Sequence, residues 1–423
     1  MRFLYTLAMY LATPLIVLRL ALRGFRSRPY YWRWAERFGF FSAPQRVCGC
    51  LWVHAVSVGE VNAAEPLVKA LKLAYPDAPL VITTVTPTGT ARVQQLFGDS
   101  VFHIYLPYDL PYAVNRFLRK LKPRVALIVE TEIWPNLYFA CHRYRVPLMI
   151  VNARLSERSL RGYRPRPLRG MLRAALGCVD VIAAQSPADA DRYRLIGAPS
   201  RRVLVCGNLK YDMPIPPDAR VAGARLREHW GAGRPVWIAA STHEGEEQAA
   251  LNAHLDVLRR LPDALLLIAP RHPERFAEAI HAARGMGFTV GSYGEDGMPA
   301  VSHQVFVIDA MGQLMPFFAA SALAFVGGSL LPIGGHNVLE PAALGTPVVV
   351  GPHTFNFAEI TASLIDQGGA VRVADAEQLG QTALALLGDA PRRAAMGQAA
   401  QRLFERERGA TGRLLQLIDA HLS

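Results

Sequence analysis

The sequence predicts an α/β protein built from two parallel-sheet domains, and three features of the 423-residue chain lead to this prediction. Short apolar runs alternate with amphipathic segments from residue 47 onward. A proline-rich segment interrupts them near residue 213, and a long apolar stretch precedes them. Apolar strands that alternate with helices are typical of parallel sheets covered on both faces. The length fits two to three domains at roughly 150 residues each.

The long apolar stretch covers residues 3–22 and contains one charged residue, Arg19. As a helix it would be about 30 Å long, which matches the hydrocarbon core of a bilayer. Most of the nearby arginines follow it, so the positive-inside rule places the rest of the chain in the cytoplasm. We therefore predict that residues 1–46 form a membrane anchor and a basic juxtamembrane segment. Pro14 leaves open a helix that lies in the membrane interface instead of crossing it.

Twelve apolar runs are predicted to be strands. In the first half they cover residues 51–56, 79–85, 101–106, 125–129, 148–151, 179–184 and 203–206, and in the second half residues 236–240, 264–269, 305–308, 322–326 and 347–350. Helical patterns, such as residues 61–73 and 110–121, lie between most of them.

The segment DMPIPPDAR (212–220) reads as a linker because its prolines fit neither a helix interior nor a central strand. The prediction is thus a Rossmann-like domain at 47–212, a linker at 213–235 and a second Rossmann-like domain at 236–423, with the two domains facing a cleft. In such sheets ligands bind at the carboxyl ends of the strands, so site residues are expected just after strands.

Several classes of protein are excluded by missing motifs. The chain has no G-x-x-x-x-G-K-[ST], and no G-x-G-x-x-G follows a predicted strand, so a P-loop and a dinucleotide cofactor are not expected. There is no H-E-x-x-H and no paired-cysteine signature, so no metal or other cofactor is expected. Five cysteines without a regular spacing make a disulfide framework unlikely and indicate a reducing compartment.

The first half offers two groups of candidate residues after strands, and a single lysine. In HAVSVGE (54–60) Glu60 falls in the first turn of a helix, where the helix dipole favours an ionised carboxylate that can take a proton from a hydroxyl. The alternative is a glutamate that only caps the helix, and Ser57 could itself be the N-cap. Glu130 and Glu132 end a buried strand, with a strand-end cap as their alternative role. Lys210 could bind an anionic substrate group or remain solvated.

The second half offers groups suited to a nucleotide. Ser241 or Thr242 could cap the next helix, whose free N–H groups would bind one phosphate. Arg271 could form paired hydrogen bonds with a phosphate or a base. In the glycine-rich segment that starts at residue 327, Asn337 would begin a helix and Glu340 could accept both hydroxyls of a ribose. Structural glycines are the alternative explanation of that segment.

Positive charge is concentrated in two stretches. Residues 1–46 hold eight arginines and one acid, and residues 143–173 hold nine arginines and one acid. The second stretch includes Arg161, Arg164 and Arg166. A solvated face and a nucleic-acid site are alternatives, but the neighbouring apolar stretch favours an anionic membrane surface and no nucleic-acid partner.

Four stretches in combination resemble one bacterial enzyme family. They are HAVSVGE (54–60), GNLKYD (207–212), APRHPERF (269–276) and GGSLLPIGGHNVLEPAALGTPVVVGPHTFNF (327–357). From the N-terminal apolar stretch to at least residue 365, the chain is similar to the Kdo transferases. These enzymes transfer 3-deoxy-D-manno-octulosonic acid (Kdo) from CMP-Kdo to a lipid A precursor.

The resemblance implies a GT-B fold and metal-independent, inverting transfer at the cytoplasmic face of a bacterial inner membrane. It also implies that Glu60 is the general base and that the C-terminal domain binds the CMP half of the donor. The residues that stand where the family's donor-binding motifs stand are Arg271, His272, Asn337 and Glu340.

The stretch DAMGQL (309–314) looks like the family's D-T-M-G-E-L loop, with Ala310 and Gln313 as departures. This puts side-chain hydrogen bonds from those two positions in doubt, but not backbone contacts from Met311 and Gly312. The implied partners are CMP-Kdo, a lipid A precursor and an anionic inner-membrane surface. A bis-phosphorylated lipid would suit the arginine stretches, and the residues expected on the acceptor side are Ser57, Glu130, Glu132, Arg161, Arg164 and Arg166.

Two other functions remain open at this point. One is a different GT-B enzyme acting on a lipid-linked or nucleotide sugar, although a pyrophosphate donor would need more phosphate-binding groups than the sequence offers. The other is a catalytically silent protein that binds lipid A at the membrane, which Glu60 and the full set of nucleotide motifs argue against.

Overall fold

The computed structural model describes residues 2–163 and 166–422, and within them two seven-stranded parallel sheets. The first sheet has the order β3-β2-β1-β4-β5-β6-β7, and the second has the order β10-β11-β9-β8-β12-β13-β14. The predicted fold class, two Rossmann-like parallel-sheet domains after an N-terminal apolar helix, is confirmed.

All twelve predicted strands are present, with ends shifted by at most two residues. In the first sheet they are β1 (Leu51–His54), β2 (Leu80–Thr84), β3 (Phe102–Tyr105), β4 (Val125–Val129), β5 (Leu148–Ala153), β6 (Val181–Ala184) and β7 (Val203–Val205). In the second sheet they are β8 (Val236–Thr242), β9 (Leu265–Pro270), β11 (Val305–Val307), β12 (Leu323–Val326) and β13 (Val348–Val350). Two edge strands of three residues were not predicted, β10 (Val290–Ser292) and β14 (Ala370–Arg372).

Helices connect the strands. Before residue 214 they are α1 (Arg2–Arg26), α2 (Val58–Ala74), α3 (Pro87–Phe97), α4 (Pro111–Leu121), α5 (Pro135–Arg143), α6 (Glu157–Gly162), α7 (Arg166–Leu176) and α8 (Pro187–Leu195). After it they are α9 (Ala219–Trp230), α10 (Glu246–Leu258), α11 (Phe276–Gly285), α12 (Tyr293–Asp296), α13 (Leu314–Ala320), α14 (Leu339–Leu344), α15 (Ala358–Asp366), α16 (Ala376–Gly388), α17 (Ala390–Glu407) and α18 (Ala410–Leu422). Short 3-10 turns cover Arg28–Tyr31, Trp34–Phe38, Gln45–Val47, Gly98–Ser100, Ser200–Arg202, Leu209–Asp212 and Pro273–Arg275.

The first sheet is buried on both faces, as its continuous apolar strands require. Successive residues of β1 illustrate this, since Trp52 belongs to the apolar cluster on one face while Leu51 and Val53 belong to the cluster on the other. Side chains alternate between faces along a strand, so both faces need apolar residues when helices cover both. The second sheet has a core of the same kind, which includes Trp237 and Phe325.

The chain divides into two compact units that differ from the predicted domain limits. One unit holds residues 1–213 and 407–423, and the other holds residues 214–406. The last helix, α18, belongs to the N-terminal unit because its buried residues Leu414 and Ile418 join the apolar cluster that α2 contributes to. Asp212 accepts hydrogen bonds from the backbone N–H groups of Gly409 (2.6 Å) and Thr411 (2.5 Å), so the motif GNLKYD fixes the start of this helix.

The predicted linker at 213–235 is largely helical. Helix α9 packs on α13 so closely that a Cβ at Gly223 would lie 2.6 Å from the Cβ of Ala319. Leu226 and Trp230 are buried on the same helix. The proline-rich residues 214–217 therefore precede the helix, and the helix is part of the second unit.

The basic segment after α1 is part of the N-terminal unit and not a separate juxtamembrane region. Arg37 is buried, donates a hydrogen bond to the Val85 carbonyl (2.9 Å) and lies over the ring of Tyr105. Arg33 donates to the carbonyl of His103 (2.7 Å). These two arginines bind the domain itself, so their charge does not form a free patch for a membrane.

Candidate active site

Three carboxylates lie near one another at the carboxyl ends of β1 and β4. Glu60 sits in the first turn of α2, and its Oε2 accepts a hydrogen bond from the backbone N–H of Val56 (2.5 Å). The charges of Glu132 and Glu130 act on Glu60, which shows that the topology brings these distant residues together. The N-terminal unit therefore contains an acidic cluster made of Glu60, Glu130 and Glu132.

The expectation that the helix dipole keeps Glu60 ionised is wrong. Burial is the main cause that raises the pKa of Glu60 to about 8, with added contributions from the charges of Glu132 and Glu130 and against the opposing effect of the Val56 N–H. Desolvation of a carboxylate outweighs the partial charge of a helix end. A carboxyl group with this pKa can release and take up a proton near neutral pH, which suits a general base.

Glu132 is fixed by hydrogen bonds, and Glu130 has an unusual backbone conformation. The indole N–H of Trp134 donates to Glu132 Oε2 (2.9 Å), and the phenol of Tyr138 donates to the Glu132 carbonyl (2.6 Å). Glu130 has a backbone φ of 61°, a conformation that costs energy for a residue with a side chain. Such strain at the end of a buried strand is typical of functional positions.

Ser57 occupies the N-cap position of α2, as the sequence allows, but its side chain makes no capping hydrogen bond. Next to it, Gly59 is exposed and does not have a positive φ. A Cβ added there would meet no protein atom closer than Ser57 Oγ at 3.8 Å. The fold itself therefore does not require glycine at position 59, and the space beside it is open to a ligand.

We predict that Gly59→Ala folds normally and lowers the rate of the sugar transfer that the resemblance implies by at least tenfold. The new methyl group would occupy space that the folded protein leaves open to a ligand. The check is the initial rate together with the thermal midpoint of unfolding. A matched control is Gly285→Ala, where an added Cβ also meets no protein atom within 4 Å. Equal rates for the two variants would contradict the assignment of this space to a ligand.

Lys210 lies in the 3-10 turn Leu209–Asp212 of the N-terminal unit. Its backbone N–H donates to the side-chain oxygen of Asn208 (3.0 Å), and the motif around it serves largely to fix the turn and α18. A role for the Lys210 ammonium group in binding an anion stays a prediction.

The arginine-rich stretch surrounds the short helices α6 and α7. Arg161 is exposed on α6, and Glu157, the one acid in residues 143–173, pairs with Arg192 at 2.9 Å. Arg164 lies outside the described residues, and the side chain of Arg166 is also outside them. Other exposed arginines in the described part of this stretch are Arg143, Arg145, Arg158, Arg169 and Arg173.

In the C-terminal unit a buried carboxylate organises the glycine-rich loop that follows β12. Glu246 Oε2 accepts hydrogen bonds from the N–H groups of His243 (3.0 Å) and Gly328 (2.7 Å), and Oε1 accepts from Ser329 and Leu330 (both 3.0 Å). Glu246 thus occupies these four backbone N–H donors, which are not free to bind a phosphate. This role of Glu246 was not predicted from the sequence.

The expectation that Ser241 or Thr242 caps α10 is wrong. The N-cap is Gly245, because β8 extends to Thr242 and a turn follows it. The buried hydroxyl of Thr242 donates instead to Glu247 Oε1 (3.1 Å), and Ser241 has a φ of 56° at an irregularity in the strand pairing. Neither residue therefore lies at the N-terminus of a helix, where free N–H groups could bind a phosphate.

Arg271 and Glu340 belong to one cluster of charged and polar groups in the C-terminal unit. Arg271 is exposed, and its positive charge acts on the partly buried carboxyl of Glu340, which places the two residues near each other. The side-chain amide of Asn337 donates to Glu340 Oε1 (3.1 Å), and its oxygen accepts from the N–H of Leu339. Burial raises the pKa of Glu340, while Asn337 and Arg271 oppose that rise.

Three histidines complete this cluster. The Nε2 atoms of His243 and His336 are 2.7 Å apart, so one ring donates an N–H to the lone pair of the other. His272 packs edge-on against His243. Burial lowers the pKa of His336 to about 4 and also lowers that of His243, so this pair is neutral at pH 7. His243 and His336 were not among the predicted site residues, although His336 lies within the glycine-rich stretch 327–357 and His243 directly follows the candidate Thr242.

Met311 and Gly312 lie on an exposed loop between β11 and α13. The side chain of Met311 is 57% exposed, and Gly312 has a φ of 80°. Asp309, which precedes them, accepts a hydrogen bond from the Gly294 N–H (2.6 Å). The loop is held at its base while its tip is exposed.

Comparison with known proteins gives one family. Residues 32–213 match the family described as 3-deoxy-D-manno-octulosonic-acid transferase (kdotransferase). The chain is 40% identical to the 3-deoxy-D-manno-octulosonic acid transferase of Haemophilus influenzae, over 100% of this chain and 99% of that protein. It is 39% identical to the protein of the same name from Bordetella pertussis, over 99% of each.

Two solved structures show the same fold at low sequence identity. A putative UDP-N-acetylglucosamine 2-epimerase from Listeria monocytogenes is 17% identical, with a TM-score of 0.55 over 89% of this chain and 97% of that one. A glycosyltransferase from Rickettsia africae is 12% identical, with a TM-score of 0.54 over 88% and 99%. These similarities establish the GT-B type of fold.

Proposed function

Since this chain belongs to the 3-deoxy-D-manno-octulosonic acid transferase family, and so is a glycosyltransferase that transfers Kdo in lipopolysaccharide biosynthesis, we propose that its donor is CMP-Kdo and its acceptor a lipid A precursor. The observation that carries the mechanism is Glu60, a partly buried carboxyl with a pKa of about 8 beside an open glycine. The acceptor is held at the membrane by its acyl chains, so we place the reaction at the cytoplasmic face of the bacterial inner membrane.

In the proposed reaction Glu60 Oε1 takes the proton of an acceptor hydroxyl, because Oε2 is occupied by the Val56 N–H. The hydroxyl oxygen forms a bond to the anomeric carbon of Kdo, and the bond from that carbon to the phosphate oxygen breaks. CMP leaves with the electron pair of that bond, and attack on the opposite face inverts the anomeric centre. No cofactor takes part in this scheme.

The C-terminal unit supplies the groups for CMP. Glu340 would accept hydrogen bonds from the ribose hydroxyls, with Asn337 fixing the position of its carboxyl group. Arg271 is exposed and near Glu340, so its guanidinium can neutralise the single phosphate or bind the cytosine. Three further groups are proposed to contact the donor: His272, Met311 and Gly312. Ser241 and Thr242 are weaker candidates, because both are committed to local structure, and Lys210 is a weaker candidate as well.

We predict that Glu340→Ala weakens CMP binding by roughly 1–3 kcal/mol, because ribose hydroxyls would lose their acceptor in a partly buried site. Arg271→Ala should weaken it by a similar amount through loss of charge on the phosphate. Calorimetric titration with CMP measures both. Arg284→Ala is the matched control, since Arg284 also follows β9 but lies at the far end of α11. Wild-type affinity in both Glu340→Ala and Arg271→Ala would place the nucleotide elsewhere.

The acceptor side is proposed to include the acidic cluster, Ser57 and the arginine-rich stretch. Exposed arginines near an anionic surface contribute about 1 kcal/mol each, and salt screens them over about 8–10 Å. Neutralising Arg161, Arg164 and Arg166 should therefore raise the acceptor concentration needed for half-maximal rate at low salt, with a smaller effect at high salt. Initial rates at two salt concentrations measure this. Identical acceptor dependence in variant and wild type at low salt would show that the stretch is only a solvated face.

The proposed function is tested by the release of CMP from CMP-Kdo by purified protein. Release that depends on a lipid A precursor supports transfer. Release without acceptor would indicate a hydrolase or another nucleotide-sugar enzyme, and binding of lipid A with no release would indicate a silent binding protein.

A further inference from the structure

The N-terminal helix α1 lies on the N-terminal domain along one face. At its first turn the hydroxyl of Tyr5 donates to Asp109 Oδ2 (2.8 Å), and the hydroxyl of Thr6 donates to the side-chain oxygen of Asn136 (3.0 Å). The guanidinium of Arg2 lies 4.6 Å from the ring centre of Phe139. The first turn of an apolar helix is thus attached to the domain by polar groups.

The carboxylate that accepts the Tyr5 hydrogen bond is itself part of the folded domain. Asp109 is buried, and besides Tyr5 it accepts hydrogen bonds from the backbone N–H groups of Asn136 (2.9 Å) and Leu137 (2.8 Å). Those N–H groups belong to the first turn of α5 and have no partner within that helix. The Tyr5 hydroxyl therefore completes the set of donors around a carboxylate that also fixes the start of α5.

The other end of α1 contacts the same domain. Leu20 is buried, and a Cβ added at Gly24 would overlap the ring of Tyr31, which lies in the 3-10 turn Arg28–Tyr31 of the N-terminal unit. The 25 residues of α1 span about 37 Å at 1.5 Å each. The first turn is bound to Asp109 and Asn136, and the last turn leads directly into the folded segment that begins at Arg28, so the helix runs along the domain and does not project from it.

The opposite face of α1 is an exposed apolar stripe. Its members repeat at intervals of three and four residues and include Leu11 (70% exposed), Leu15 (68%) and Phe25 (82%). The full stripe is Leu4, Leu7, Leu11, Leu15, Leu18, Leu22 and Phe25. Soluble surfaces rarely expose an apolar face of this length.

The charges beside the stripe point to the partner. The helix contains four arginines and no acid, and Arg19 and Arg23 are exposed. At the other end, the charge of Arg2 lowers the pKa of the Cys178 thiol against the effect of burial, so the two residues lie near each other. Cys178 lies two residues after the end of α7, which belongs to the arginine-rich stretch. An apolar stripe flanked by cations fits a phospholipid surface with anionic headgroups.

We propose that α1 is a monotopic element, which lies in the plane of the membrane with the stripe Leu4–Phe25 in the lipid, and does not cross the bilayer. This deepens the proposed function, since it rests on a lipid acceptor reached from the membrane surface. A helix that crossed the bilayer would carry Tyr5 about 30 Å away from Asp109. It would break the contacts of the first turn and leave the domain held only by residues beyond 26.

The test is the depth of four positions along the stripe. Single cysteines at Leu4, Leu11, Leu18 and Phe25, in a background with Cys48→Ser and Cys178→Ser, carry a fluorescent probe in the full-length protein. The protein is bound to phosphatidylethanolamine–phosphatidylglycerol vesicles, and brominated lipids report the depth of each probe. The proposal predicts four similar, shallow depths. Deep probes at 11 and 18 with shallow probes at 4 and 25 would show a spanning helix and overturn it, as would no quenching at any position.

A cross-link provides an independent readout. Cysteines at Thr6 and Asn136 should be joined by a short thiol cross-linker in vesicles as efficiently as in detergent. Leu4 paired with position 136 is the control, because Leu4 faces away from the domain. Loss of the Thr6–Asn136 cross-link in vesicles alone would contradict the proposal.

Acceptor-dependent release of CMP is measured in the same vesicles, so the two claims fail separately. A spanning profile with full activity would overturn only the orientation of α1. A shallow profile without acceptor-dependent release would overturn only the proposed function.

Discussion

Glu60→Gln should lower the rate of Kdo transfer by about 10²–10⁴-fold, because the amide keeps the shape of the carboxyl group and cannot take the acceptor proton. CMP affinity should stay unchanged, since Arg271, Asn337 and Glu340, the main groups proposed to bind CMP, belong to the other unit. The matched control is Glu65→Gln on the same helix, where the carboxylate pairs with Lys69 at the surface. A Glu60→Gln variant that turns over near the wild-type rate would show that the base is another group.

The pH dependence provides a second signature of Glu60. Burial raises its pKa to about 8, so the basic form is the minor one at pH 7 and increases as the pH rises. The value of kcat/KM should therefore rise about tenfold per pH unit below 8 and level off above it. Glu132→Gln removes one charge that raises this pKa, so the rising limb should shift to lower pH. A profile that does not move in Glu132→Gln would contradict the coupling within the acidic cluster.

Glu246→Gln should destabilise the C-terminal unit by about 3–5 kcal/mol. Each carboxylate oxygen now accepts hydrogen bonds from two backbone N–H groups, and the new NH₂ group would face two of these donors without being able to accept from them. The matched control is Glu244→Gln, two residues earlier, whose side chain is 89% exposed. Urea denaturation fitted to two transitions measures the effect, since two units need not unfold together. Equal midpoints for the two variants would show that Glu246 does not hold the glycine-rich loop.

The strands were predictable because they are buried on both faces and hence apolar throughout, as in Val125–Val129, whose predicted bounds are the observed ones. The edge strands β10 and β14 were not, because three residues with a glycine or an arginine carry no such pattern. Their place is set by pairing with β11 and β13, which is a tertiary effect.

Long-range contacts explain the other differences. The hydrogen bonds between Glu246 and the loop join residues 82 to 84 positions apart, and no local pattern records them. The same is true of α18, which Asp212 fixes from nearly 200 residues away. The position of Glu60 followed from its motif, whereas its protonation depends on burial and on Glu130 and Glu132, which only the folded chain supplies.

The reaction proposed for this chain is the transfer of Kdo from CMP-Kdo to a lipid A precursor. It is tested by mass spectrometry of the lipid after incubation with purified wild-type protein and CMP-Kdo. We expect a lipid heavier by one or more whole Kdo residues, with one CMP released for each residue added, and at least a hundredfold slower formation of this product by Glu60→Gln. An unmodified lipid in the presence of released CMP would contradict it.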